Sequence, residues 1–546
     1  MRTRFPMLVM ALVMAMAIPG TQADQAQAVP ASSVETLGRV QFSTSCNSAV
    51  QPQFNRAVAL MHSFQFANAI EAFQAILVTD PQCSIAYWGI ALSAWGNPFA
   101  VGLRSPAQLE QGLQAVGASR EIARTTKREQ AYLEAVAKLF ADASTVDQRS
   151  RILAYESAMG NLSAAYPEDM EATIFYALAV AAAADPNDKT YARQLKAGAI
   201  LEGLFAQYPD HPGLAHYIIH TYDVPALASR AIDAAQRYSK IAPSTPHALH
   251  MPSHTFTRVG DWRGSIDANL AAAAAARRAG QTAEELHASD YLVYAYLQTA
   301  QDDAAERLVE SAVQIFARFD PASPNTGAAN PAAAYFARAA IPARSCLERR
   351  AWPDAARLEP LASPFPYTDA ITYFARGLAA AHLKDGAGAR AAIDSLRLSH
   401  EKLVAMKENY WANQVEIQQQ EVVAWLAFAE GDSQSALAEM RAATEQEDKT
   451  EKSVITPGPL APARELLAEM LVALNRPAEA QKEFEATLVK EPNRFRSLYG
   501  AAEAARLAGD HPTAQTYYRK LLEVAARADN PGRREMVEAR GETTTK

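Results

Sequence analysis

The strongest constraint on this chain is a spacing that repeats. Ala480, Phe484 and Pro492 form a small–aromatic–proline triplet, with Asn475 just upstream. Gly509, Ala514 and Tyr518 reproduce the spacing of Asn475, Ala480 and Phe484 one period later. The triplet also occurs upstream as Ala69, Phe73 and Pro81, and as Ala197, Leu201 and Pro209. Ala231 and Pro243 repeat the ends of this last one after the same interval. Gly431 with Ala436, and Ala300 with Ala305 and Val309, mark further units. A unit of about 34 residues cannot bury its apolar face alone, so it must stack on its neighbours. Alanine runs, such as the one after Asn269, favour helix and let helices approach closely. Strand-like clusters bounded by hairpin turns are scarce, so the expected class is all-α.

The spacing resembles the tetratricopeptide-repeat (TPR) family. The resemblance implies two antiparallel helices per unit, touching at the small residues, and a right-handed superhelix of such hairpins. It also implies that the second, fifth and ninth residues of each unit's first helix line a concave groove. A wider similarity is to exported bacterial TPR proteins. Its marks are His62-Ser-Phe, Cys83 to Gly89, His216 to Asp223, His247 to His254, Asp290 to Tyr294, and Pro457-Gly-Pro459. It covers nearly all of the mature chain and implies no particular reaction.

The first residues predict export. Arg2 and Arg4 precede an apolar run, Met7 to Ile18, which Pro19 and Gly20 end. This reads as a signal peptide within 1–28, cleaved after Ala23 or Ala28, giving a periplasmic or secreted protein. No later apolar run is long enough to span a membrane. Residues 29–320 read as an N-terminal array, 321–335 as a linker rich in Pro, Asn and Gly, and 336–525 as a second array. The spacing breaks between Trp95 and Glu129, which predicts an insertion with its own helix. The polar tail, 526–546, is expected to fray from Ala528 onward. Cys46 and Cys83 flank the first hairpin. They are either a disulfide or, with Cys346, buried thiols; no CxxC motif points to redox or haem chemistry.

A net charge of −8, with no Lys/Arg-dense face, argues against a nucleic-acid partner. The chemistry lies elsewhere. Of eleven histidines, six fall between His211 and His254, and His287 follows. In the repeat register His216 and His220 stand at the fifth and ninth residues of one unit. His250 and His254 hold the same places in the next unit. His247 and His287 stand at second places, and Asp290 at a fifth. Residues four apart share a helix face, about 5–6 Å apart at Cβ. Two HxxxH pairs on stacked helices can therefore deliver four imidazoles to one ion, His216, His220, His250 and His254. His247, His287 and Asp290 extend the set to seven ligands, enough for two ions or for one ion with supporting partners. Pro252, inside the second pair, kinks the helix at the proposed site.

All-imidazole ligation suits zinc, copper, iron or nickel, of which zinc and copper fit an exported site best. His62 either faces this cluster or stands alone. Asp223 and Arg258 are candidates for an acid–base group or substrate clamp, with interhelical pairing as the plain alternative. The expected function is a metal-dependent enzyme, hydrolytic or oxidative. The competing expectation is a non-catalytic scaffold for peptides or protein partners, or a metal carrier. A groove binding an anionic peptide without metal, or a duplication that binds nothing, also remains open.

Overall fold

The computed structural model describes residues 35–544, apart from 324, 326 and 531. The expected signal peptide and its cleavage points lie outside the described residues. From Thr36 onward the chain forms one compact unit. Among the described residues there is no β-strand. The fold is all-α, a stack of antiparallel helical hairpins. Successive helices pack in pairs, for example Phe66–Thr79 on Ile85–Trp95, Trp262–Ala279 on Thr282–Gln298, and Phe495–Leu507 on His511–Val524.

A recurring Gly-Asp pair builds several of the hairpin turns. Gly260, Gly431 and Gly509 have φ of 71°, 89° and 82°, a left-handed conformation that costs glycine little. The aspartate that follows caps the next helix. Asp261, Asp432 and Asp510 accept from the backbone N–H of Gly264, Ser435 and Thr513. That cap satisfies an orphan donor and places negative charge at the positive helix end.

The break in spacing after Trp95 holds the helix Pro106–Ser119, capped by Ser105 and Gln108. The stretch from Pro321 joins Asp302–Phe316 to Pro331–Glu348, and both of these helices pack on Thr282–Gln298. The polar tail does not fray as expected. It folds into Arg534–Thr544, whose Met536 and Ala539 are buried. Arg533 pairs with buried Asp302, and Arg496 with Glu535. These charges anchor a segment that composition alone marks as solvated. Cys46 and Cys83 form a disulfide, and Cys346 is a buried free thiol.

Asp290 is not with the histidines. Both its oxygens face Arg344, at 2.8 Å from Nε and 3.4 Å from the terminal nitrogen. Both side chains are fully buried. Arg344 also donates to Thr456 Oγ1 and to the carbonyls of Gly458 and Pro459, so it clamps the Pro457-Gly-Pro459 turn onto the groove. Breaking such a pair strands a buried charge. Asp290→Ala is therefore expected to destabilise the protein by about 3–5 kcal/mol, read from the urea midpoint. A loss under about 1 kcal/mol would mean that the clamp carries little of the stability.

Candidate metal centre

Three successive repeat units supply the centre. The helix Pro212–Thr221 carries His216 and His220. In the next unit the first helix is broken at Met251 into Pro246–His250 and Pro252–Arg258. Pro252 causes the break, because it lacks the N–H that would continue the helix. His254 N–H instead donates to Met251 O, one residue closer than in an α-helix. Thr282–Gln298 brings His287. The six rings are buried and form a continuous patch, with His220 5.7 Å from His254 and His247 6.0 Å from His250 between centroids.

The patch resolves into two trios. His216, His220 and His247 offer one ring nitrogen each within 4.8 Å of one another, and so do His250, His254 and His287. This differs from the four-histidine set expected from register. The third member of each trio comes from the first helix of the following unit, and the HxxxH pairs do not merge on one point.

Hydrogen bonds set the tautomers. In the first trio His216 Nδ1 donates to the carbonyl of His62 at 2.6 Å, and His247 Nδ1 to Glu284 at 3.0 Å. In the second, His250 Nδ1 donates to Asn269 Oδ1 at 2.7 Å, and His254 Nδ1 to Asp223 at 2.9 Å. Asn269 is oriented by its own amide, which donates to Ser265 O at 2.7 Å. Each of these four rings therefore turns a bare Nε2 lone pair inward. Nε2 of His216 and of His247, both nitrogens of His220, and Nδ1 of His287 find no partner among the described residues. Nε2 of His250 and of His254 lie 3.1 Å apart. Both carry lone pairs there, because both Nδ1 protons are committed. Two acceptors at that distance repel unless a cation or a proton sits between them.

Five of the rings are also held neutral. Burial pushes the imidazoles of His216, His220 and His250 well below their usual range, and neighbouring imidazoles add to the effect. Burial lowers His254 to about 4 against the pull of Asp223, and His287 to about 3 against the pull of Glu284. Neutral imidazole is the ligating form.

Four of the six, His220, His247, His254 and His287, line a cavity of about 300 Å³ whose walls include Phe66, Trp95 and Ile455. His216 and His250 are fully buried beneath. Phe99 and Phe64 stack on His220 at 4.6 and 5.4 Å between centroids and fix its ring from both sides.

Asp223 and Arg258 do not face this cavity as an acid–base pair. Asp223 accepts from His254, from Arg258 Nε at 2.9 Å and from Lys452 Nζ at 2.8 Å. Burial would raise its carboxyl, but the Lys452 and Arg258 cations hold it well below the usual range. It orients His254. Arg258 is spent on Asp223, the interhelical pairing that was the plain alternative. His62 belongs to another cluster. Its Nε2 meets Glu171 at 2.9 Å and its Nδ1 meets Tyr217 OH at 2.9 Å, while His211 takes the other oxygen of Glu171 at 3.0 Å.

Sequence reasoning missed Glu284, Asn269 and Lys452. Glu284 stands one turn before His287, so helical spacing can find it. Asn269 and Lys452 reach the site from elements whose placement no local pattern predicts.

No family model matches the chain, and no curated protein does. Solved structures similar to it include the human IFIT1 dimer with PPP-AAAA, at 11% identity and TM-score 0.38, covering 89% of this chain and 96% of that one. The human IFIT1 dimer with m7Gppp-AAAA is similar at 12% identity and TM-score 0.37, covering 90% and 99%. Among the described residues no helix is long and apolar enough to cross a membrane.

The depressed imidazoles predict how the metal-free protein responds to acid. A histidine with pKa near 6.5 when unfolded and about 4 or 3 when folded binds its proton preferentially in the unfolded state. Its contribution is intact above pH 6.5 and is lost as pH falls towards the folded value. The loss is about 1.4 kcal/mol per pH unit for each such ring. Thermal denaturation from pH 8 to 5 should show stability falling below pH 6.5, with a shallower fall in His287→Gln. Identical slopes in the two proteins would contradict the assignment.

Proposed function

We propose that this is an exported helical-repeat protein that binds a transition metal, zinc or copper, in its histidine groove and uses it on a substrate held in the adjoining cavity. The observation that carries the reading is the approach of the two Nε2 lone pairs of His250 and His254 at 3.1 Å, each with its Nδ1 proton committed elsewhere. A ligating histidine characteristically donates its other N–H to a carboxylate or carbonyl, which fixes its orientation and raises its basicity. His216, His247, His250 and His254 all have such a partner. A bound metal would supply Lewis acidity or one-electron chemistry. The chain's own part is to hold the rings in place and to offer a cavity of mixed polar and apolar lining beside them.

Export is supported by the basic and apolar start, and by the Cys46–Cys83 disulfide, a bond that persists in oxidising compartments. A metal carrier is the second reading. It is favoured by one observation: the nearest carboxylates, Asp223 and Glu284, stand behind the imidazoles and not in the cavity.

Elemental analysis of the native protein beside a His220→Ala, His254→Ala double variant tests the reading. We expect stoichiometric zinc or copper in the wild type and at least a tenfold loss in the variant, with far-UV circular dichroism unchanged. A wild type that takes up no metal, even after supplementation, would sink it. Given metal, turnover that follows metal content separates an enzyme from a carrier.

A further inference from the structure

The two trios are one design made twice. His216 and His220 become His250 and His254 one repeat later, and each pair takes its third member, His247 or His287, from the start of the next unit. The kinds of backing recur as well, at different members of each trio. Each trio has one ring whose Nδ1 meets an uncharged oxygen, His62 O or Asn269 Oδ1. Each has one backed by a carboxylate, Glu284 or Asp223. Each has one, His220 or His287, whose Nδ1 is unpartnered among the described residues. Both trios open on the same cavity, through His220 and His247 on one side and His254 and His287 on the other.

From this duplication we infer that the groove holds two metal ions side by side, one on each trio, and that the pair is copper. The inference rests on the metal-site reading above and goes beyond it in number and identity. Three imidazoles complete most of a small ion's coordination and leave one position open. Both trios line one cavity, so ions held by them would be able to share one small ligand. Copper is favoured by the donors. All six are imidazole nitrogens, and Glu284 and Asp223 are each committed to a ring N–H instead of bridging. Hard ions such as manganese and magnesium want carboxylate or water. At equal donors, copper binds more tightly than its first-row neighbours.

The His62–Glu171–His211 cluster is excluded from this centre, because Glu171 is occupied by both rings. It serves as an internal control. His220 and His287 are the residues to change, since removing either ring leaves the Nδ1–H acceptors of the four backed histidines paired.

The experiment loads the full chain anaerobically with cuprous ion and counts bound copper by mass spectrometry of the digested protein. It then records the electron paramagnetic resonance spectrum after oxidation. We expect two equivalents in the wild type, one in His220→Gln, one in His287→Gln, and two in His211→Gln. The oxidised wild type should show a spin-coupled pair, and each single-trio variant an isolated cupric signal. One equivalent in the wild type would overturn the two-ion centre while leaving the metal site standing. No copper, with zinc bound instead, would overturn the copper assignment. No metal of any kind would remove both this inference and the reading it rests on. A variant that fails to fold is replaced by His247→Gln or His254→Gln, with the same expected drop from two to one.

Discussion

Aromatic rings seated directly on glycines set the distance between paired helices, and the placement of every other group follows from that distance. A Cβ added at Gly89 would stand 2.3 Å from the Phe73 ring, and one at Gly500 would stand 2.2 Å from Phe484. Gly112 under Phe140 and Gly198 under Tyr222 are tighter still, at 2.0 and 1.9 Å. No side chain fits in that space, so each contact admits only hydrogen. The close approach removes apolar ring surface from water on both sides. It also fixes the rise from one hairpin to the next, and so turns a sequence period into spatial adjacency. Histidines at matching places in neighbouring units must then meet.

Meeting is costly for six imidazoles, and the surroundings absorb the cost in two ways. Four Nδ1 protons are satisfied by fixed acceptors, so burial leaves few donors orphaned. Burial disfavours charge on five of the rings, which limits repulsion between neighbouring cations in a dry groove. What remains are inward lone pairs that no donor among the described residues satisfies. A purely structural cluster would turn some of those rings the other way, as His62 and His211 do towards Glu171.

The segment between the helices Ser433–Asp448 and Ala463–Ala473 completes the site from far along the chain. Lys452 reaches Asp223, and Tyr291, which stands beside His254, donates to Thr456 O. Arg344 holds the following turn by Thr456, Gly458 and Pro459. Ile455 closes one wall of the cavity. The Pro457-Gly-Pro459 breaker is thus a strap across the groove, and the Asp290–Arg344 pair is its fastening.

The sequence by itself determined the helical-repeat class, because a triplet recurring at one fixed period has few other solutions. It also placed the HxxxH pairs on matching helix faces of neighbouring units, because repeat register decides which helix face a residue occupies. His216, His220, His250 and His254 were legible for that reason, and His247 and His287 as their neighbours. Only the tertiary structure decided the grouping into trios. That depends on where the third helix lies and on the break at Pro252, which brings His250 and His254 closer than a regular helix would. It also decided the fate of the charged groups. Asp290 and Asp223 stand at places where a ligand or base was plausible, yet Arg344, Arg258 and Lys452, distant in sequence, claim them. A buried carboxylate pairs with whatever cation the fold brings nearest, and no local pattern in the chain records which one that is.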